Sequence, residues 1–256
     1  MLSDECSYNL TMTKYIYHII ALKGNFSMKS LKSTLRMFTN RTRIGTYIWA
    51  VMLKIRRFLF YRSKRLRKDI TVVELINTLN EKNCRYVILR WFDNIPNIKD
   101  GDDIDILIHD NDIKIISPLL TRSNRKGSSI FVDVYSVTGL RGFDYKKTSY
   151  YPPSIAENLL KRSVVNHMGV RVPSKEDYFY SLAFHAIYHK GSISGLPLSS
   201  IDTSRYGTCQ RDFTIILSSM AEELGLDTAI NVADLSQLLK KKGWQPTQQM
   251  LNRFTM

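Results

Sequence analysis

The sequence predicts an α/β (α+β) chain: a small mixed β-sheet core, a helical C-terminal domain and a basic helical N-terminal segment. Three observations carry this reading. Short apolar runs with strand-like alternation, Asp103 to Ile108 and Ile130 to Tyr135, are interleaved with stretches of helical period, the pattern of a mixed sheet covered by helices. Beyond Pro153 the helical periods dominate. The net charge of +14 is also unevenly spread: residues 1–70 carry 15 Lys/Arg against 3 Asp/Glu, and residues 71–256 carry 22 against 20. The expected divisions are therefore a basic segment (1–70), an α/β core (71–153) and a helical domain (154–256).

In the N-terminal segment, Thr46 to Tyr61 mixes aromatic and cationic side chains, and Arg62-Ser63-Lys64-Arg65-Leu66-Arg67-Lys68 follows at once. Residues 41–68 suit an anionic membrane surface, where each basic residue gains about 1 kcal/mol. The same stretch suits RNA, through phosphate contacts and stacking, or packing as an amphipathic helix on its own catalytic core. A helix is expected near 71–82, strands at 85–91 and 103–109, a helix near 111–122 and a strand at 129–137. Tyr150-Tyr151-Pro152-Pro153 breaks the pattern, and a short helix follows near 154–162. Residues 164–172 read as a hairpin turning at His167-Met168-Gly169.

The next helix has well-marked ends: Ser174 is a good N-cap, Asp177 an acidic first-turn partner and Gly191 a suitable stop. A polar loop from 191 to 210 is a candidate lid or acceptor-binding element. Helices near 211–224, 232–242 and 246–254 complete the chain, the second with a basic last turn at Lys240 to Lys242 before Gly243. The three cysteines are scattered, which argues against a disulfide framework and fits a reducing cytoplasm. No apolar run reaches the ~18 residues of a membrane span, and the basic n-region of a signal peptide is missing. The expected location is cytoplasmic, at the inner face of the membrane if the basic segment binds lipid.

In a strand, residues i and i+2 share a face, so Asp103 and Asp105 project together while Ile104 and Ile106 face the core. If the Asp133 strand lies alongside, three carboxylates converge on a hard divalent ion, Mg2+ or Mn2+, of the kind that bridges nucleotide phosphates. Asp102, in a Gly/Asp-rich stretch, reads as a turn residue. Asp105 interrupts an apolar run, where an unpaired carboxylate is costly to bury. His185 and His189, four apart on one helix face, can hold a metal or meet a phosphate, with Lys190 as an anion contact. They can equally serve the fold, one packed in the core and the other capping the last turn.

The pattern Asp103, Asp105 and Asp133 resembles the DNA polymerase beta type nucleotidyltransferase superfamily, which carries a carboxylate pair in an Asp-x-Asp strand and a third carboxylate on a later strand. The run Val172-Pro173-Ser174-Lys175-Glu176-Asp177, continued to His185, His189 and Gly191, is similar to a bacterial nucleotidyltransferase-like group associated with surface-polysaccharide genes. Together the two resemblances cover about residues 71–195. They imply metal-dependent transfer of a nucleotidyl or phosphoryl group from a nucleoside triphosphate to a hydroxyl, on a sugar or envelope-glycan precursor. Asp103, Asp105 and Asp133 would hold the metals, Asp133 would help deprotonate the acceptor, and Arg90 and Lys190 would neutralise phosphate. The chain departs from the pattern at Val87 to Phe92, where the superfamily has a glycine turn and this sequence has none; Arg90 is the substitute phosphate clamp. A toxin-like transferase acting on transfer RNA and a non-catalytic scaffold of polysaccharide assembly are the alternative readings.

Overall fold

The computed structural model describes residues 64–98, 103–122, 128–201 and 212–254, which belong to one compact unit of residues 62–256. Residues 1–63, with most of the 41–68 stretch read as suiting a membrane or RNA, lie outside the described residues, as do Asp102, residues 202–210 of the polar loop and Arg211. Among the described residues no helix is long and apolar enough to cross a membrane.

The architecture is mixed α/β. Five strands, β1 (Lys64–Leu66), β2 (Tyr86–Ile88), β3 (Asp103–Ile108), β4 (Leu120–Arg122) and β5 (Phe131–Ser136), form a sheet in the order β2-β3-β5-β1-β4. Only β3 and β5 run parallel; the other three pairings are antiparallel. Strand alternation divides the sheet between two cores. Ile104, Ile106, Ile108, Val132 and Val134 face helix α1 (Val72–Glu81), which buries Val72, Leu75, Ile76 and Leu79. That helix starts at a capping box: Thr71 accepts from the Glu74 amide, and the Glu74 carboxylate accepts from the Thr71 amide at 2.7 Å. The opposite face, with Val87, Leu89, Leu107 and Tyr135, packs on the helical half.

Three sequence expectations need correction. The helix expected at 111–122 is a 3-10 turn (Asp110–Asp112), one α turn, α2 (Ile113–Ile116), a second 3-10 turn and then β4. Pro118 has no amide hydrogen to donate one turn back, so the α ladder stops and the chain tightens into the 3-10 turn Ser117–Leu119 before β4. The strand expected at 85–91 is assigned only over Tyr86–Ile88, and the chain turns away at Trp91, which is left-handed with φ 56°. The basic run Arg62 to Lys68, read as part of the N-terminal segment, supplies β1 to the sheet through Lys64–Leu66. Arg65 lies over the Phe131 ring at 4.1 Å and Lys64 over Phe143 at 3.9 Å, so both cations sit on aromatic faces.

The helical half comprises α3 (Pro153–Arg162), α4 (Lys175–Phe184), α5 (Phe213–Glu223), α6 (Val232–Lys241) and α7 (Gln248–Phe254). Between α3 and α4 a small hairpin, β6 (Val164–Val165) and β7 (Arg171–Val172), turns where the sequence placed it. Ser174 caps α4 by accepting from the Asp177 amide at 3.2 Å. Past Phe184 the helix widens into a π-helical turn (His185–Lys190) that ends at Gly191, φ 57°. Pro153 marks no break in packing: Tyr135, Tyr150, Phe184 and Phe254 belong to one apolar cluster.

Candidate active site

The parallel register of β3 and β5 places Asp105 directly opposite Asp133, with Asp103 one pleat back on the same face. The three side chains offer oxygens that all lie within 4.8 Å of one another, the single such group of His, Cys, Asp or Glu among the described residues. The trio is graded in depth. Asp103 is exposed, Asp133 is partly buried and Asp105 is 1% exposed.

Arg90 meets the buried carboxylate from below. Its Nη2 is 2.6 Å from Asp105 Oδ1, and its Nη1 donates to the Tyr150 hydroxyl at 2.9 Å. The Tyr135 hydroxyl reaches both strands, 3.3 Å from Asp105 Oδ1 and 3.5 Å from Asp133 Oδ2. Lys64 adds positive charge on the Asp133 side while its ammonium donates to the Gly142 carbonyl.

Burial pushes the Asp105 carboxyl up to about 7; Arg90 and the Tyr135 hydroxyl pull it down, and the charges of Asp103 and Asp133 add to the rise. Burial, followed by repulsion from Asp103, also holds Asp133 above the ordinary carboxylate range, against the pull of Arg90 and Lys64. When ionised, the three carboxylates outnumber the cations beside them, Arg90 and, on the Asp133 side, Lys64, and a divalent cation would balance the remaining negative charge. The donors are all oxygens, as hard cations require. The Arg90 and Tyr135 contacts of Asp105 both fall on Oδ1, so its other oxygen, Oδ2, is the one available for a cation, and Asp103 brings the trio to the surface. The residues present therefore fit Mg2+ or Mn2+.

The other expected site residues are distributed differently. Arg90, expected as a phosphate clamp, is 8% exposed and commits both terminal nitrogens to Asp105 and Tyr150. The two histidines are tied to Tyr150: His185 Nδ1 is 2.6 Å from its hydroxyl, and His189 Nε2 lies 3.1 Å from its carbonyl oxygen. Burial, then the charge of Arg90, holds both imidazoles well below the ordinary histidine range. Neither joins a metal-ligating group among the described residues. Lys190 ends the same turn, partly buried, with no hydrogen bond or ion pair to the trio among the described residues.

Tyr135 and Tyr150 are site residues that the sequence reading did not single out. Tyr135 carried a usable signal, since it stands two residues from Asp133 in the same strand and must share its face. Tyr150 carried none, because it joins the site from the loop before α3. The chain was compared with protein-family models, curated proteins and solved structures, and nothing matches it in any of the three.

Proposed function

We propose that the protein is a metal-dependent enzyme of the nucleotidyltransferase kind, moving a nucleotidyl or phosphoryl group from a nucleoside triphosphate to a hydroxyl acceptor. One observation carries this: Asp103, Asp105 and Asp133 converge from two adjacent parallel strands, with oxygens within 4.8 Å, at one face of a mixed sheet. A divalent ion bound there would neutralise phosphate oxygens and lower the pKa of an attacking hydroxyl. The chain's own part is positioning. Asp103 and the Oδ2 of Asp105 bind, and Asp133, held above the usual carboxylate range by burial and by Asp103, is the base that accepts the hydroxyl proton. Arg90 works from inside the protein, offsetting carboxylate charge, and phosphate charge falls to cations not engaged by the carboxylates, such as the partly buried Lys190. A sugar or glycan precursor is the acceptor class that the resemblance to the nucleotidyltransferase-like group suggests.

The test is a melting-temperature panel of the four nucleoside triphosphates with Mg2+ or Mn2+, on wild type and on Asp103→Asn/Asp105→Asn. A ligand that binds only the folded state raises the melting temperature by mass action. The expected result is a metal-dependent rise with at least one nucleotide, absent from the double variant. A folded wild type that shifts with none of them refutes the enzyme reading and favours a non-catalytic scaffold, in keeping with the missing glycine turn.

A further inference from the structure

A chain of hydrogen bonds enters the site from the helical half, and only one polarity is open to it. The guanidinium of Arg90 has donors and no acceptor. Its Nη1 donates to the Tyr150 hydroxyl oxygen at 2.9 Å, so the phenol's own proton must serve the other neighbour, His185 Nδ1 at 2.6 Å. Nδ1 therefore accepts, and the imidazole is neutral with its proton on Nε2. The charged and titratable groups facing His185 are Arg90 from the end of β2, Tyr150 from the loop before α3, and His189 and Lys190 from its own turn. Burial and all three of these cationic or basic groups disfavour a charge on the ring.

We propose, building on the reading of the carboxylates as a cation site, that Tyr150 and His185 are positioning residues: the chain from His185 through Tyr150 to Arg90 holds the guanidinium on Asp105 Oδ1 and keeps Oδ2 open to a divalent ion. The reason lies in the fork of arginine. A guanidinium facing a carboxylate prefers two parallel bonds, one to each oxygen. Here Nη1 is drawn off to Tyr150, and only Nη2 serves Asp105. Without the phenol oxygen, Nη1 has no partner in a buried setting, and the fork closes over both Asp105 oxygens. An ion then competes with Arg90 for Oδ2. Tyr150 is packed for this task by Tyr135, with ring centroids 4.0 Å apart, and by His189 at 4.0 Å, so its hydroxyl has little freedom.

The test is a Mn2+ titration of the full chain, followed by the electron paramagnetic resonance signal of free Mn2+, on wild type, Tyr150→Phe, His185→Asn and His185→Leu. Phenylalanine keeps the ring and loses the oxygen. Asparagine keeps an acceptor near the place of Nδ1, and leucine does not. Partners that orient metal ligands typically contribute about 10–100-fold in affinity, so Tyr150→Phe and His185→Leu are expected to bind Mn2+ about tenfold more weakly or worse, and His185→Asn close to wild type. If Tyr150→Phe does not fold, the contrast between the two His185 variants decides. A folded Tyr150→Phe with wild-type Mn2+ affinity overturns the positioning role and leaves the cation site standing; a wild type that takes up no Mn2+ overturns both. Nitrogen-15 NMR of His185 tests the polarity independently of any metal. The expected form is the neutral Nε2–H tautomer at neutral pH, and an imidazolium or an Nδ1–H ring there overturns the proposal.

Discussion

Asp105→Asn separates the contribution of this one carboxylate to stability from everything else in the fold. In the folded chain, burial, against the opposing pull of Arg90 and with Asp103 and Asp133 adding to it, raises the Asp105 carboxyl from 3.8 to about 7. The sign follows from proton counting. Between those two values the folded state holds a proton that the unfolded chain has released, so stability falls as pH rises through the window and the loss is complete above about 7. At about 1.4 kcal/mol per pK unit, roughly three units correspond to about 4 kcal/mol. Asparagine has the same shape, is neutral throughout, and can still accept from Arg90. Its stability should match wild type near the acid end of the window and exceed it above neutrality by up to about 4 kcal/mol, equivalent to about 8–16 °C in melting temperature for a domain of this size.

The assay is urea unfolding of both chains in EDTA, stepped from about pH 4 to about pH 8, the limits of the titration being the ordinary and raised values of the carboxyl. Mg2+ added at the alkaline end should recover wild type alone, by about 2.7 kcal/mol if supplied at about 100 times its Kd. Parallel curves across the range would refute the reasoning. A variant that loses ground with rising pH would refute it more sharply, because the ion pair with Arg90 would then outweigh the burial of Asp105.

Two further predictions rest on the same structure. Arg90→Met leaves the buried carboxylate without its cation, and urea unfolding should show a loss of about 3–5 kcal/mol above neutral pH and a smaller one in acid, where Asp105 takes up a proton; an equal loss at both ends would mean that Arg90 acts through packing. Gly139→Ala should cost roughly 2–5 kcal/mol, since its Cβ would meet the Ser149 amide nitrogen at 2.4 Å from a left-handed backbone of φ +74°. Gly169→Ala, with the same φ and nothing within 4 Å, should cost only about 1–2 kcal/mol, and similar melting losses in the two variants would contradict the packing drawn around Gly139.

Much of the sheet face was legible because strand alternation is local. Ile104, Ile106 and Ile108 turn to one core, Asp103, Asp105 and Leu107 to the other side, and a residue's own strand is enough to say so. The start of helix α4 was legible for the same reason, since Ser174 and Asp177 bond within three residues; the equally local Thr71–Glu74 cap of α1 was there to be read as well. What escaped depends on partners far away in sequence. The cations of Lys64 and Arg65 read as part of a basic segment for a membrane surface, RNA or amphipathic-helix packing, and Phe143 and Phe131 on neighbouring elements give them aromatic surfaces in the sheet. The four-residue spacing of His185 and His189 was visible; its meaning was not, because the shared partner, Tyr150, lies 35 residues before the first and 39 before the second.

The segment Val87 to Phe92, where the glycine turn of the resembled superfamily is missing, also brings the carboxylates their charge compensation. The Leu89 amide still pairs with the Asp105 carbonyl at 2.9 Å, so the chain keeps strand register one residue past β2 with Leu89 opposite Asp105, and Arg90, the next residue, reaches the Asp105 carboxylate. Immediately afterwards Trp91 takes the left-handed conformation at φ 56°, a backbone that costs a non-glycine residue about 1–2 kcal/mol. A glycine would make that turn without strain and let backbone amides approach a phosphate. Here the turn carries an indole, packed toward Phe213 with ring centroids 6.3 Å apart. The residue before it carries the guanidinium that offsets the negative charge on Asp105. Charge compensation is thus internal and permanent, supplied by Arg90 and the shared hydroxyl of Tyr135, whereas a glycine turn would act only on a bound phosphate. The arrangement of the three carboxylates is thus set by their protein neighbours, and a divalent cation of the kind proposed would meet a site whose geometry those neighbours already fix.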